Sequence, residues 1–137
     1  MLVTTTSGDF PNGKHVRKPG LDPDSGAVCL AVLRLDGFIS LNAGREGGCV
    51  RTVQFRVPEG ELFLNADAGL GRLQVEALDA NGELVDESVP LNSDKIRHEV
   101  KWTKGGLTKL PGRVMSLRFK IQDASLYSFW FGERRGQ

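Results

Sequence analysis

Apolar residues in this chain recur at every second position within short runs, and turn residues break the runs apart. The clearest case lies near the C-terminus. Leu117, Phe119 and Ile121 fall on one side of an extended segment, with Ser116, Arg118 and Lys120 on the other. After a polar Gln122-Asp123 step, Tyr127, Phe129 and Phe131 alternate against Leu126, Ser128 and Trp130. A period of two marks a strand with one buried face, because successive side chains of an extended chain point to opposite sides. Read as a hairpin, the two runs supply six core residues and place Trp130 on the face that carries Arg118 and Lys120.

The same writing continues upstream. The dense apolar run 28–35 reads as a central strand, Asp36-Gly37 as a turn, and 38–41 as a return to the sheet. Residues 44–48 make the next loop. In 52–57, Val53, Phe55 and Val57 share one side, opposite Thr52, Gln54 and Arg56. A turn at 58–60 leads to a strand over 61–67, and a turn at 68–71 leads to a strand over 72–79 with Leu73, Val75 and Ala77 inward. Asn81-Gly82 is the strongest hairpin signal in the chain, and 83–89 pairs back across it. After a polar connection over 90–96, His98, Val100 and Trp102 alternate with Glu99 and Lys101. Residues 105–112 form a loop with room for one helical turn.

About nine short strands and no long helix predict an all-β fold, a two-layer antiparallel β-sandwich of jelly-roll type. Seventeen glycines and six prolines suit a chain that turns this often. Residues 1–26 lack periodic apolar pattern and are cut by Pro11, Gly13, Pro19, Gly20, Pro23 and Gly26, so they read as an N-terminal arm or linker. The basic cluster Lys14, Arg17 and Lys18 within it reads as a solvated loop. Residues 27–137 read as the sandwich domain.

A net charge of +1 gives no global field to steer nucleic acid or an acidic membrane. No apolar run approaches the roughly 20 residues of a membrane helix. Residues 1–13 have no basic segment followed by an apolar core, so they do not read as a secretory signal, and a secreted parent protein remains compatible with the chain. Cys29 and Cys49 are too few for a zinc site, and His15 and His98 are far apart in sequence. Both cysteines read as small buried residues, with a disulfide as the alternative in a secreted setting.

Catalytic signatures are lacking. A glycosidase needs two carboxyls about 5–10 Å apart across a cleft. The acids on strands or strand ends are Asp36, Glu61, Asp67, Glu76, Asp79, Glu83 and Glu99, and each has a structural explanation: Asp36 and Asp79 precede turns, and Glu76 and Glu99 alternate outward. There is no G-x-S-x-G elbow, and Gly69-Leu70-Gly71 lacks the lysine and helix of a phosphate loop. His98 reads as a satisfied, partly buried histidine. No catalytic residue, metal ligand set or cofactor is assigned. A structural calcium in the Asp67 or Asp94 loops is chemically compatible, but no ligand spacing singles it out.

The aromatics remain. Trp102 is in register with Val100 and reads as core. Trp130 falls on an outer face, where a flat sugar ring can stack on it and polar neighbours can bond the hydroxyls. The candidate ligand-binding set is Trp130, Arg118 and Lys120, with Gln54 and Arg56 if their strand joins the same sheet. The competing reading is that Trp130 packs beneath the N-terminal arm or against another domain.

Several motifs in order, Arg34-Leu35-Asp36-Gly37-Phe38-Ile39-Ser40-Leu41, Leu62-Phe63-Leu64-Asn65-Ala66-Asp67, the run 71–82, Ile96-Arg97-His98-Glu99-Val100-Lys101-Trp102, Leu110-Pro111-Gly112-Arg113-Val114, Leu117-Arg118-Phe119 and Leu126-Tyr127-Ser128-Phe129, resemble the C-terminal β-sandwich of bacterial β-fructosidase-like (invertase- and levanase-related) glycoside hydrolases. The resemblance spans about Arg34 to Phe131. In that family the catalytic acids lie on an N-terminal five-bladed propeller, for which this chain has no room. Asp9-Phe10-Pro11-Asn12-Gly13 only faintly echoes the nucleophile segment, so no catalytic residue carries over. The resemblance implies an accessory, non-catalytic module. Its expected partner is a polysaccharide or oligosaccharide, with no nucleic acid and no membrane. The alternatives are a structural module that packs on a catalytic propeller or self-associates, and a small stand-alone glycoside hydrolase.

Overall fold

The computed structural model describes residues 2–3 and 29–133. The chain divides into two compact units, Met1–Leu33 and Arg34–Gln137. In the first, β1 (Leu2–Val3) pairs antiparallel with β2 (Cys29–Leu30). The rest of the arm expected over 1–26 lies outside the described residues. The central strand expected over 28–35 does not form. Only Cys29–Leu30 is a strand, and Val32 and Leu35 are 84% and 66% exposed. An unbroken apolar run has no inner and outer side, so apolarity alone did not give it a place in a sheet. The Asp36-Gly37 turn is present, closed by the Gly37 N–H donating to the Arg34 carbonyl at 2.9 Å, with Asp36 at φ 53°.

The second unit is an all-β sandwich of nine strands: β3 (Leu41–Ala43), β4 (Gly48–Arg51), β5 (Phe55–Arg56), β6 (Glu61–Asp67), β7 (Arg72–Asp79), β8 (Leu84–Glu87), β9 (Asp94–Glu99), β10 (Val114–Gln122) and β11 (Ala124–Gly132). Sheet I has the order β3-β11-β6-β9. Sheet II has the order β4-β10-β7-β8, with β5 also pairing with β10. All pairings are antiparallel. With β4 and β5 counted as one interrupted strand, the eight strand positions run 1-8-3-6 in sheet I and 2-7-4-5 in sheet II, which is jelly-roll connectivity. The first strands pair with the last ones, β3 with β11 and β4 with β10, so the chain closes like a rolled hairpin.

The core lies between the sheets. Sheet I contributes Leu62, Leu64, Ala66, Ala124 and Leu126, and sheet II contributes Leu73, Val75, Ala77, Leu117, Phe119 and Ile121, all buried. Each fully buried Leu, Val or Phe stabilises the fold by roughly 1.5–3 kcal/mol. Val100 and Leu107, the latter in a one-turn 3-10 helix (Leu107–Lys109), are buried against this core.

The terminal hairpin is the main departure from expectation. β10 and β11 do not pair. Asp123 alone connects them, at φ 44°, and carries the chain from sheet II to sheet I. One linking residue is too short for the two-residue turns that close hairpins, and Asp tolerates the left-handed region. The alternation of the second run is also broken. A bulge between Leu126 and Ser128 leaves Tyr127 as an extra residue opposite the Ala66-Asn65 step. Leu126, expected outside, is therefore buried at 4%, while Phe129 is 39% exposed and Phe131 half-buried.

Candidate functional site

β6 is buried on both sides from Leu62 to Ala66, although only one side faces the core. The outer side is covered by side chains of its own sheet and by Arg34, from the segment before β3. Phe63 is 3% exposed because Trp130, directly opposite on β11, lies against it with ring centroids 5.9 Å apart and planes at 20°. The Arg97 guanidinium of β9 covers Phe63 at 3.9 Å and lies 5.8 Å from Trp130. Arg97 is anchored by donating to the Glu133 carbonyl at 2.9 Å. Trp130 is thus braced by Phe63 and Arg97. β3 pairs only with Ala124, Ser125 and Leu126, so Trp130 has a neighbouring strand on the β6 side alone.

A second cluster adjoins it on the same face. Arg34 lies over the Tyr127 ring at 4.7 Å, donates to Asn65 Oδ1 and, at 3.2 Å, to the Ala66 carbonyl, and pairs with Asp94. Asn65 Nδ2 in turn donates to the Leu35 carbonyl at 2.6 Å. Ser128, two residues before Trp130, has a buried hydroxyl without a partner among the described residues.

Arg118 and Lys120 lie elsewhere, on the outer face of sheet II, and so does Arg56, opposite Val114. Gln54 precedes β5 at the edge of that sheet. The structure therefore brings together four of the five expected residues and separates them from Trp130, because β10 and β11 belong to different sheets. Gln54 Nε2 donates to the Ala80 carbonyl at 2.7 Å, and Arg56 donates to the Gly112 carbonyl at 3.2 Å. Arg118 and Lys120 both pair with Glu76, which is 2% exposed. Burial pushes the Glu76 carboxyl up, but Lys120 and Arg118 together outweigh it and hold the group below the usual carboxylate range.

Asp86 is the other displaced carboxyl. Burial again pushes it up, yet it accepts from the backbone N–H groups of Gly106 at 2.9 Å, Lys104 at 3.0 Å and Glu87 at 2.8 Å and from the Thr103 hydroxyl at 3.1 Å, and it ends below the usual range. His98 is 4% exposed, and its Nε2 lies 2.9 Å from the Ser93 carbonyl. Burial, with Lys95 and Arg34 nearby, lowers its pKa. Cys49, expected to be buried, is exposed and free on β4 opposite Lys120. Trp102 is half-buried against the core, with its indole N–H unpartnered among the described residues. No group of three or more His, Cys, Asp or Glu is placed to hold a metal among the described residues.

Sequence reasoning missed Phe63, Arg97 and Arg34. The signal available for Phe63 was the unbroken run Leu62-Phe63-Leu64: an apolar residue on the outer side of a well-patterned strand implies a cover. Nothing in spacing points to the two arginines, which arrive from β9 and from the segment before β3. No protein-family model, no curated protein and no solved structure matches the chain.

Proposed function

We propose that this chain is a non-catalytic carbohydrate-binding β-sandwich, resembling the accessory domain of a β-fructosidase-like glycoside hydrolase. The observation that supports it is Trp130, partly exposed and braced by Phe63 and Arg97 on the outer face of sheet I. A platform that is already ordered loses little entropy when a sugar ring stacks on it. The test is a binding screen over fructans, β-glucans, xylans and mannans, with Trp130→Ala in parallel. Binding abolished in the variant, with circular dichroism unchanged, is the expected result. Binding to none of them, or binding that Trp130→Ala leaves intact, would overturn this reading.

A second reading, a module that self-associates, has one observation in its favour. Ile39 and Leu41 are 80% and 49% exposed. Ile39 and Leu41 border a groove of about 370 Å³ that also reaches Val50, Phe119, Leu126 and Phe129. Clustered apolar exposure of this kind marks contact surfaces. Sedimentation of the wild type against Ile39→Asp separates the two readings. The stand-alone hydrolase has less support, since Glu76, the most buried carboxyl on an outer face, is held ionised by two cations and is unsuited to act as an acid near neutral pH.

A further inference from the structure

Among the described residues, the strands of sheet II carry five cations on their outer face, Arg51, Arg56, Arg72, Arg118 and Lys120, against two carboxylates, Glu76 and Glu87. That is an excess of three positive charges on one face of a chain whose whole net charge is +1. The cations follow β10. Arg56 stands opposite Val114, Arg51 opposite Arg118, and Arg72 opposite Gln122, with Lys120 between the last two rows. Alternate residues of a strand are roughly 7 Å apart, so from Val114 to Gln122 the track runs about 27 Å.

Fold stability does not account for this arrangement. Like charges directly opposite on neighbouring strands, as Arg51 and Arg118 are, oppose pairing. Arg51, Arg56 and Arg72 have no carboxylate partner among the described residues. They donate to the Ser116 hydroxyl at 2.9 Å, the Gly112 carbonyl at 3.2 Å and Gln122 Oε1 at 3.0 Å, all neutral acceptors. Arg118 and Lys120 share the single carboxylate of Glu76. Three guanidinium groups on a linear track thus keep their full charge and most of their donors for something outside the chain.

We infer that this face binds an acidic polysaccharide, a glycan bearing carboxylates or sulfates along its length, laid along β10. Guanidinium forks suit such groups. Among the described residues no aromatic side chain faces outward from these strands, so the face lacks the platform on which single-stranded bases stack, and a flat sheet presents no element to enter a duplex groove. The surface is distinct from that of Trp130, so the two proposals fail separately.

The test is native affinity electrophoresis of the whole chain through gels containing polygalacturonate, a neutral β-glucan or double-stranded DNA. The variants are Trp130→Ala and the triple Arg51→Gln, Arg56→Gln, Arg72→Gln, whose fold is checked by thermal melting. The expected result is retardation by polygalacturonate and not by DNA, weakened by salt and reduced roughly tenfold or more in the triple variant, while any retardation by the neutral β-glucan is lost in Trp130→Ala and kept in the triple variant. If the triple variant loses its fold, Arg72→Gln alone must still bind more weakly than wild type. No retardation by polygalacturonate, retardation that the arginine variants leave intact, or equal binding to DNA would overturn the proposal.

Discussion

Phe63 points away from the core, and its burial depends on two side chains from neighbouring strands, Trp130 and Arg97. A cation over an aromatic face contributes about 0.5–2 kcal/mol, and the arginine stem adds apolar cover. Arg97→Ala should therefore lower stability by roughly 1–2 kcal/mol and shift tryptophan emission to the red, as Trp130 loses its brace. Arg97→Lys should recover only part of this, because a compact ammonium does not stack as a planar guanidinium does. Asp86 answers to a different force. It ties the loop 103–106 to β8 through three hydrogen bonds, from the Thr103 hydroxyl and the backbone N–H groups of Lys104 and Gly106, and accepts a fourth from the Glu87 N–H of its own strand. Asp86→Asn puts an amide donor where an acceptor is required and should cost roughly 2–3 kcal/mol in denaturant unfolding. The bland expectation for His98, buried and bonded, matches the structure. Cys49 did not stay inside, because a small side chain on an alternating strand goes to whichever face its register dictates.

At the scale of elements, β6 and β7 have the limits expected of them, 61–67 from the flanking turns and 72–79 from the alternation. The Asn81-Gly82 hairpin forms as written, with Gly82 at φ 86° and Asp79 Oδ1 accepting from Asn81 N at 2.8 Å and Glu83 N at 2.9 Å. These features are local, and local chemistry suffices to read them. The turn between β6 and β7 packs against the link between β10 and β11. A Cβ at Gly71 would overlap the carbonyl oxygens of Gln122 and Asp123. Gly71→Ala should therefore destabilise by roughly 2–3 kcal/mol, seen as a lowered denaturation midpoint with an unchanged m-value. Nothing in the sequence marks this glycine out among 17, because the strands that crowd it are some 50 residues apart along the chain.

For the whole molecule, acid should weaken the sandwich in two stages. His98 has a lowered folded pKa, so the unfolded chain takes up the proton first, and stability falls as pH drops below about 6.5. Glu76 and Asp86 also have lowered folded pKa values. Their contribution is present above the unfolded carboxylate pKa, about 4, and is lost as pH falls from there through the folded values. Denaturant midpoints measured from pH 8 to pH 3 should show both steps, with the first removed in His98→Gln and the second reduced in Asp86→Asn.

Alternating runs and turn residues determined the all-β class, the count of about nine strands and most of the inward residues, since these depend on neighbours within a few positions. The pairing of strands was decided only in three dimensions. A run with one apolar side is written the same way whether it folds back beside its predecessor or crosses to the facing sheet, and the single residue Asp123 commits β11 to the crossing. That crossing sends Trp130 to one outer face and leaves Arg118 and Lys120 on the other. It turned one expected site into two surfaces of different chemistry, an aromatic one braced by Arg97 and a cationic one laid along β10.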